Sequence, residues 1–375
     1  MPTLTLHNQY AYTDVLKAYF DCRKHKRMTG SALAFELKFE QNLYTLTRQI
    51  NNNTYIIGPT RAFVVTYPKP REVWAALFRD RIVHHLIYND IAPYFEGHFI
   101  EDTYSCIKNR GTLLALIRCK HFLERATQYW SKPAWVLQLD IKNFFVSINK
   151  HILYDLIAKH FDCNCLLLDL IRYVIYNDPT QNALVDSYSD FGIIPPHKSL
   201  WNANKNHGLP IGNLTSQLFA NIYLDELDKF IKHILKVKFY GRYVDDFYII
   251  HTDKDLLYKY CEKINLFLRS RLQLELSVPK TKIKAADSGI TFLGTTIYPF
   301  HALPRKMNVA KLKEVARQLQ KNYTDPFLLA SINSYLGMLK QADTFQLRKR
   351  ICEQIAIPTL LGYNETYSKL VRLHV

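Results

Sequence analysis

The sequence of 375 residues is poor in acidic residues and lacks any long uncharged apolar run. Only 33 Asp and Glu stand against 49 Lys and Arg, which leaves a formal net charge of +16 at pH 7. A shortage of acids on this scale favours a polyanionic partner, either nucleic acid or an acidic membrane surface. A basic protein that its charge keeps in solution is the plainer alternative. Because 48% of the residues are hydrophobic, a largely disordered chain is excluded.

Signals for membrane insertion and export are also missing from the sequence. The least charged long segment, residues 208–224, contains polar side chains such as Asn213 and Gln217 and is too polar to span a bilayer. The N-terminus has no basic segment followed by an apolar one, which argues against a secretory signal. We therefore expect a cytoplasmic protein that has no membrane as a partner.

Linkers, repeats and paired cysteines are absent as well. No Gly/Ser-rich segment divides the chain, although its length suggests two or three compact units. Of seven scattered cysteines only Cys163 and Cys165 lie close together, and a lone C-x-C pair is not a zinc spacing. We expect free thiols in a reducing compartment. The pair His84 and His85 has no Cys or acidic ligand set nearby and is not expected to bind a metal.

Hydrophobic periodicity predicts alternating helices and strands. The predicted helices cover 74–94 (ending around Pro93), 152–176, 214–230 and 256–272, with a mostly helical, basic tail from 308. The predicted strands cover 61–67, 134–139, 237–243, 247–250 and 290–299. A strand, helix, hairpin, helix, strand succession with helices before and after it predicts a palm-like sheet with two flanking lobes.

Three aspartates stand at strand ends of this predicted sheet. Asp245 and Asp246 lie between two strand-like runs, so their carboxylates should project from a tight turn. Adjacent acids repel each other, and divalent cations explain the pair better than packing does. Asp140 ends the run 134–139, and strands that end side by side would bring it to the turn. Three such carboxylates can hold two Mg²⁺ ions that activate a 3′-hydroxyl and stabilise a leaving pyrophosphate.

The alternative is a solvated Asp-Asp turn with an unrelated strand-end aspartate, because a Tyr-x-Asp-Asp tetrapeptide alone is a weak signal. Neighbouring residues strengthen the metal interpretation. Phe145, five positions after Asp140, could abut the sugar of an incoming nucleotide and exclude a 2′-hydroxyl. A core position is the competing explanation, which we favour for Phe144 and not for Phe145. Lys280 could neutralise a triphosphate or donate a proton to pyrophosphate, although Lys-x-Lys is otherwise a common solvated loop.

Two further segments could contact a nucleotide or a template. Residues 208–217 combine Gly208 and Gly212, which permit close backbone approach to a base pair, with a Ser-Gln end that would open a helix. A helix N-cap alone is the alternative there. After a Pro-Lys-Pro turn, a group of basic side chains would suit phosphates or be plain surface residues. These basic residues are Lys69, Arg71, Arg79 and Arg81.

Taken in order, these segments resemble a reverse transcriptase over nearly the whole chain. The matching motifs are Arg-Asp-Arg at 79–81, Asp140 with Phe144-Phe145, Ile-Gly-Asn-Leu-Thr-Ser-Gln at 211–217, Tyr-Val-Asp-Asp at 243–246, Lys280 and Phe-Leu-Gly at 292–294. The resemblance implies an α+β right-hand polymerase fold, with an antiparallel palm sheet, helices and a helical thumb. Fingers would occupy residues 1–130, a palm 131–298 with a finger-like insertion at about 177–207, and a thumb 299–375.

The resemblance also implies an activity and a set of site residues. The activity is RNA-directed DNA polymerisation, in which a DNA primer or cDNA is extended with dNTPs on an RNA template. Two Mg²⁺ ions, which Mn²⁺ could replace, would be held by Asp140, Ile141, Asp245 and Asp246, with Lys280 as a further catalytic residue. The implied nucleotide-binding residues are Lys69, Arg71, Phe144, Phe145, Ile211, Gly212 and Gln217. The implied primer grip is Phe292, Leu293 and Gly294.

One departure from the usual reverse-transcriptase motifs indicates which subgroup of the family the chain resembles. Most reverse transcriptases have Gln-Gly and Ser-Pro where this chain has Ile211-Gly212 and Ser216-Gln217. The departure resembles the reverse transcriptases of diversity-generating retroelements of bacteria and phages, which implies error-prone copying with a small basic accessory protein and a structured non-coding RNA. One alternative is an antiphage-defence reverse transcriptase that makes cDNA from a partner non-coding RNA, or DNA without a template. Another is a catalytically silent RNA-binding scaffold.

Overall fold

The computed structural model describes residues 8–24, 28–67, 69–161, 165–356 and 361–372. The first seven residues and Cys163 lie outside these ranges, and with them part of the predictions on a secretory signal and on the Cys163–Cys165 pair. Pro68, which begins the Pro-Lys-Pro turn, lies outside them too. Within the described ranges no helix has the length and apolar character needed to cross a membrane.

The N-terminal part consists of helices and one antiparallel strand pair. Its helices are α1 (Tyr12–Arg23), α2 (Gly30–Glu36), α3 (Phe39–Asn51), α4 (Phe78–His98) and α5 (Thr112–Ala126). Its strands are β1 (Thr60–Val65) and β2 (Arg71–Ala76), which pair along their whole length. The strand predicted over 61–67 is confirmed by β1. The predicted start of a helix at Trp74 is wrong, because Trp74 belongs to β2 and α4 begins only at Phe78.

Helix α4 also continues past the point where it was expected to end. Pro93 lies inside the helix, which runs on to His98. A proline removes one backbone hydrogen bond and crowds the preceding turn. Ile91, Ala92 and Phe95 around it are buried in the main core, so tertiary packing outweighs the local loss.

A four-stranded antiparallel sheet forms the centre of the chain. The strands of this part are β3 (Trp135–Asp140), β4 (Ala183–Val185), β5 (Phe239–Tyr243), β6 (Asp246–His251) and β7 (Lys282–Ala285). Its helices are α6 (Phe144–Ser147), α7 (Lys150–Ala158), α8 (Leu166–Tyr176), α9 (Tyr188–Phe191), α10 (Leu214–Lys229) and α11 (Lys254–Phe267). The sheet order is β5-β6-β3-β7, while β4 pairs in parallel with β1. The predicted strand 134–139, the hairpin and the helices α10 and α11 are confirmed.

The single helix predicted over 152–176 is wrong, because the structure has two helices there. Helix α7 ends at Ala158 and α8 begins at Leu166. The two helices pack against each other and bury Ile157 and Ile171 in the main core. An unbroken helix would carry these two apolar faces away from each other.

The central sheet is covered on both faces. Leu139 and Phe247 pack into the main core together with α4, α7, α8 and α10. Val136 and Tyr248, which point the other way, pack against α5 and Phe292. Polar side chains of the sheet are therefore left to its edges and ends, with the three aspartates half-buried at one end.

The C-terminal part begins with a small antiparallel sheet and continues as helices. Its strands are β8 (Ile290–Phe292), β9 (Thr295–Ile297) and β10 (Ala302–Pro304), and its helices are α12 (Lys306–Lys321), α13 (Pro326–Leu339) and α14 (Phe345–Ile355). A short hairpin, β11 (Leu361–Tyr363) and β12 (Leu370–Arg372), was not predicted. The helical tail is confirmed, but one strand over 290–299 is wrong. Leu293 and Gly294 have φ angles of 48° and 85° and turn the chain between β8 and β9.

Candidate active site

The hairpin of β5 and β6 brings the three predicted aspartates together. Asp246, the first residue of β6, lies directly opposite Asp140, the last residue of β3. Side chains opposed in this way across an antiparallel pair have Cβ atoms about 5 Å apart. Asp245 occupies the turn next to Val244, whose φ of 55° bends the chain, and its carbonyl accepts the Ile141 N–H at 3.3 Å. All three carboxylates are half-buried at one end of the sheet.

Burial and mutual repulsion disfavour the simultaneous ionisation of all three carboxylates in this cluster. Burial, followed by the charges of Asp140 and Asp245, raises the pKa of Asp246 to about 7. Burial and the charge of Asp140 also raise the pKa of Asp245. Nearby cations reverse such shifts, because they favour the ionised carboxylates. A bound cation would therefore stabilise the ionised carboxylates of this cluster.

Three basic residues reach the cluster, and one of them forms a direct ion pair. Lys280 Nζ donates to both carboxylate oxygens of Asp140, each at 2.7 Å. The positive charges of Arg71 and Arg305 counteract the raised pKa values of the two turn aspartates. Arg305 follows the small C-terminal sheet, and its N–H donates to the Gly294 carbonyl at 3.0 Å.

The oxygen atoms of the aspartate cluster are suitable ligands for a divalent cation, although in this structure they do not surround a single metal position. Carboxylate and carbonyl oxygens are the ligands that Mg²⁺ prefers. Among the residues that the structure describes, no three His, Cys, Asp or Glu side chains converge on one metal position. Lys280 holds both oxygens of Asp140, so a metal would have to displace it there. The side chain of Ile141 is 1% exposed in the core, which leaves only its backbone carbonyl as a possible ligand.

A fully buried ion pair supports the aspartate turn from the protein interior. Arg242 and Asp228 are both 0% exposed and are joined by hydrogen bonds of 2.8 and 2.6 Å. Arg242 also donates to the carbonyl of Val244 at 3.1 Å, directly before the two turn aspartates. Asp228 accepts the hydroxyls of Tyr240 and Thr103 at 2.5 and 2.7 Å. The turn is thus tied to α10 through charges that are fully satisfied.

Sequence reasoning missed Arg242, Asp228 and Arg305. An arginine within a strand-like run and an aspartate among the apolar residues of a helix are signals that could have identified the first two, since buried charges are normally paired. Arg305 gives no such signal, because it stands in an ordinary basic segment before α12.

The segment 211–213 is attached to β2. The predicted nucleotide-binding residues Ile211 and Gly212 therefore lie beside the strand that begins at Arg71. Trp74 donates its N–H to the Ile211 carbonyl at 2.7 Å, and Ala76 donates to the Asn213 side chain at 3.0 Å. Gly212 has a φ of 131°, and a Cβ there would lie 3.0 Å from the Trp74 carbonyl oxygen. The close backbone approach that Gly212 permits in this structure is to β2, and the predicted approach to a base pair stays a prediction.

The predicted nucleotide contacts differ in how accessible they are. Phe144 is 2% exposed in the main core, which agrees with the core explanation for its side chain, while its role as a nucleotide-binding residue stays a prediction. Phe145 is half-buried, with its ring centroid 5.3 Å from that of Phe144. Lys69, Arg71 and Gln217 are exposed, so their side chains are free to meet a ligand.

The Arg-Asp-Arg segment makes contacts within the protein. Arg79 pairs with Asp80 at 3.0 Å. Asp80 is 3% exposed and accepts the Tyr55 hydroxyl at 2.8 Å. Arg81 is half-buried and donates to the Ala76 carbonyl at 2.7 Å. These contacts fix the start of α4. Arg79 keeps 36% of its side chain exposed, and a role of Arg79 and Arg81 in binding phosphates stays a prediction.

His84, the buried member of the His84–His85 pair, is a structural residue. His84 Nδ1 lies 2.7 Å from the Thr215 hydroxyl at the start of α10. Burial lowers the pKa of His84 to about 3, so the ring is neutral at physiological pH. The contact joins α4 to α10.

The predicted primer-grip residues form the turn between β8 and β9. Phe292 is 1% exposed, and its ring meets that of Tyr248 edge to face at 5.1 Å. This packing makes the Phe292 side chain the anchor of the turn, and its part in a primer grip stays a prediction. Leu293 and Gly294 are the residues at the turn itself, beside the backbone of Arg305.

Comparison with protein families matches residues 68–297 to the family described as reverse transcriptase (RNA-dependent DNA polymerase). The matched range covers more than half of the chain and contains all three aspartates, Lys280 and the segment 211–217. The chain belongs to the reverse transcriptase family. Its α+β architecture is the right-hand polymerase fold.

Curated relatives of this reverse transcriptase are distant and longer. It is 22% identical over 337 residues to the Putative COX1/OXI3 intron 2 protein of Saccharomyces cerevisiae, covering 71% of this chain and 35% of that protein. It is 22% identical over 325 residues to the Group II intron-encoded protein LtrA of Lactococcus lactis subsp. cremoris, covering 69% of this chain and 50% of that protein. The chain therefore spans half or less of the length of these relatives. A solved telomerase from Candida albicans, in complex with a fragment of telomeric RNA, aligns with a TM-score of 0.49 at 10% identity, covering 86% of this chain and 59% of that chain.

Proposed function

We propose that this protein is an RNA-directed DNA polymerase that extends a DNA primer or cDNA with dNTPs on an RNA template. The observation that carries the proposal is the register of β3 against β6, in which Asp140 lies opposite Asp246 and beside Asp245. Membership of the reverse transcriptase family over 68–297 supports the same chemistry.

Asp140, Asp245, Asp246 and the backbone of Ile141 are the proposed ligands of two Mg²⁺ or Mn²⁺ ions. Bound ions of this kind activate a 3′-hydroxyl and offset the charge of a leaving pyrophosphate. Once released from Asp140, Lys280 is free to neutralise the triphosphate or to donate a proton to pyrophosphate. Its exposed fraction of 54% supports such a movement.

The remaining contacts follow from what is exposed around the aspartates. Lys69 and Arg71 are proposed to bind nucleotide phosphates, and the electrostatic effect of Arg71 on Asp245 supports this for Arg71. Phe145 is proposed to exclude the 2′-hydroxyl of a ribonucleotide. The residues proposed to lie near the nascent base pair are Ile211, Gly212 and Gln217, and those proposed to hold the primer end are Leu293 and Gly294.

The chain is proposed to divide into fingers at 1–130, a palm at 131–298 and a thumb at 299–375. The parallel pairing of β4 with β1 supports the description of residues 177–207 as a finger-like insertion. A separate cluster of buried apolar residues within α12, α13 and α14 supports an independent thumb.

Primer extension on an RNA template with Mg²⁺ tests the chemistry. Asp245→Ala and Asp140→Ala should each abolish extension, while Asp287→Ala, an exposed aspartate outside the site, should leave it unchanged. Binding of the primer–template should persist in all three variants. Unchanged extension in either active-site variant would contradict the assigned roles. RNA binding without incorporation by the unsubstituted protein would support the scaffold alternative.

Phe145→Val tests the sugar gate separately. Removing the ring should admit ribonucleotides, because the space beside the 2′-carbon would open. The measurement is the ratio of dNTP to NTP incorporation on one template. An unchanged ratio would mean that Phe145 is only a packing residue.

A role in a diversity-generating retroelement of a bacterium or phage is the finer proposal. Its support is Ile211 and Gln217, where a missing polar contact at the nascent pair would loosen base discrimination. A small basic accessory protein and a structured non-coding RNA are the partners that this role requires, in the cytoplasm. Sequencing of the cDNA separates the roles. Substitutions concentrated at template adenines support diversification, whereas a faithful or repetitive product would refute it.

A further inference from the structure

A second cleft lies at the far end of β5 from the aspartate turn. It has a volume of about 520 Å³ and is lined by the second half of α5, by residues 100–102 and by the start of β5. Strand β5 runs from Phe239 at this cleft to Tyr243 at the turn, which is about 13 Å at 3.3 Å per residue. The cleft at Phe239 is therefore about 13 Å from the turn, although the backbone carbonyl of Asp102 in its lining accepts the Arg242 N–H at 2.9 Å.

Part of the charge in this cleft is neutralised within the protein. Arg118 donates to the carboxylate of Asp102 at 2.8 Å and lies 3.9 Å from that of Glu101. Asp102 is buried and also accepts the Tyr104 hydroxyl at 2.9 Å. These two acids are the negatively charged residues in the lining, and Arg118 is the cation that they hold.

The other cations of the cleft have no such partner. Arg125, Lys232 and Lys238 line it and form no ion pair with any residue in the described part of the chain. Arg125 and Lys238 are exposed and Lys232 is half-buried. The cleft thus carries more positive charge than its own acids can offset, which favours an anionic ligand.

Two aromatic rings lie among these cations. Phe122 and Phe239 have ring centroids 5.5 Å apart. The Arg118 guanidinium lies 4.7 Å over the ring of Phe122, and Lys238 Nζ lies 5.3 Å over that of Phe239. Phe122 is 6% exposed and belongs to the core behind the cleft, so the half-buried Phe239 is the ring that a ligand can reach. Basic side chains beside an accessible aromatic ring are a usual means of binding single-stranded nucleic acid, because phosphates meet the cations and a base stacks on the ring.

The spacing along α5 suits a strand rather than a single anion. Arg118, His121 and Arg125 stand at i, i+3 and i+7 and form one stripe of the helix. At 1.5 Å per residue the stripe is about 10 Å long. A stripe of that length is long enough to meet more than one phosphate of an extended single strand.

We propose that this cleft is a second nucleic-acid site, which binds a single RNA strand outside the candidate active site. An acidic peptide would meet the cations but would leave the accessible Phe239 ring without a stacking partner, so the observations favour RNA. The inference rests on the charge of the cleft and on this ring, and not on polymerase chemistry.

The test is binding of fluorescein-labelled oligo-uridine RNA to protein already saturated with an unlabelled primer–template. Arg125→Glu/Lys238→Glu should weaken this second binding event about tenfold and lower its salt slope by about 1.4, as expected for two lost phosphate contacts on a single strand. Lys17→Glu/Lys38→Glu is the matched control, because it changes two exposed lysines of the N-terminal helical region by the same charge. The control should bind as the unsubstituted protein does.

Three results would overturn the proposal. The saturated protein binds no oligo-uridine, or both charge reversals weaken binding equally, or poly-glutamate binds the cleft in place of the RNA. Arg125→Gln/Lys238→Gln, with an intermediate loss expected, replaces the reversal if thermal unfolding shows that the first variant is unfolded. Primer extension is measured in parallel on the unsubstituted protein. Its failure would contradict the proposed function and leave the binding result interpretable.

Discussion

Two ion pairs flank the aspartate turn, and they differ in exposure rather than in length. Arg242 and Asp228 meet at 2.6 Å with both side chains 0% exposed. Lys280 and Asp140 meet at 2.7 Å with side chains 54% and 15% exposed. A fully buried pair cannot change partners without leaving a charge unpaired, whereas a half-exposed pair can. The same chemistry therefore provides a fixed support inside the turn and a replaceable contact outside it.

The largest expected effect is on the rate of catalysis and comes from the partly exposed aspartate cluster. Asp246→Asn should lower the rate of dNTP incorporation at least a thousandfold, about 4 kcal/mol in activation free energy, because a proposed metal ligand is lost. Stability should not fall, since the substitution removes repulsion from Asp140 and Asp245. Single-turnover extension and urea unfolding measure the two quantities. A retained rate, or a large loss of stability, would contradict the assignment.

On the buried side, Asp228→Asn should reduce the free energy of unfolding by about 3 kcal/mol, because Arg242 is left inside the protein without a counter-charge. The measurement is urea unfolding. Asp186→Asn is the control, because its pair with Arg61 is exposed and should contribute less than about 1 kcal/mol. Equal losses in the two variants would show that burial does not distinguish the pairs.

The features that were predicted well from the sequence are those that local sequence patterns determine. Asp140 was placed at a strand end and Asp246 at a hairpin, and their opposition follows once the two strands pair. The buried support could not be predicted, because Arg242 and Asp228 meet only when α10 packs on the sheet. For the adjacent Phe144 and Phe145 the sequence favoured a core position for the first and not for the second, and their burial agrees, because Phe144 is 2% exposed and Phe145 is half-buried.

Long-range packing also explains the errors in the helices. Pro93 is a helix breaker by local rules, yet the core around α4 holds it in place. The apolar pattern of 152–176 continues through a break that exists because α7 and α8 pack on each other. The charged end of the sheet was therefore more predictable than the framework that supports it.

The attachment of segment 211–213 to β2 gives a smaller expected effect. Gly212→Ala should cost about 2 kcal/mol of stability and raise KM for dNTPs, because the new Cβ meets the Trp74 carbonyl at a positive φ. Gly337→Ala is the matched control in α13, where a Cβ meets nothing within 4 Å and helix propensity favours alanine. The control should be neutral or stabilising. An unchanged KM and stability in Gly212→Ala would show that the contact with β2 is dispensable.

The smallest expected change in stability belongs to the replaceable pair. Lys280→Gln should alter the free energy of unfolding by less than about 1 kcal/mol. It should nevertheless shift the Mg²⁺ concentration for half-maximal extension about tenfold lower, because a metal no longer competes with the lysine for Asp140. A Mg²⁺ titration of primer extension measures the shift. An unchanged midpoint would mean that Lys280 does not have to leave Asp140.

The central claim, that the three aspartates form a two-metal site, is tested most directly by counting bound ions. Electron paramagnetic resonance of Mn²⁺ would be recorded with a terminated primer on an RNA template and a matching dNTP. The unsubstituted protein should bind two Mn²⁺ per chain in this complex, and Asp245→Asn should bind at most one. An equal count in the two proteins would contradict the claim.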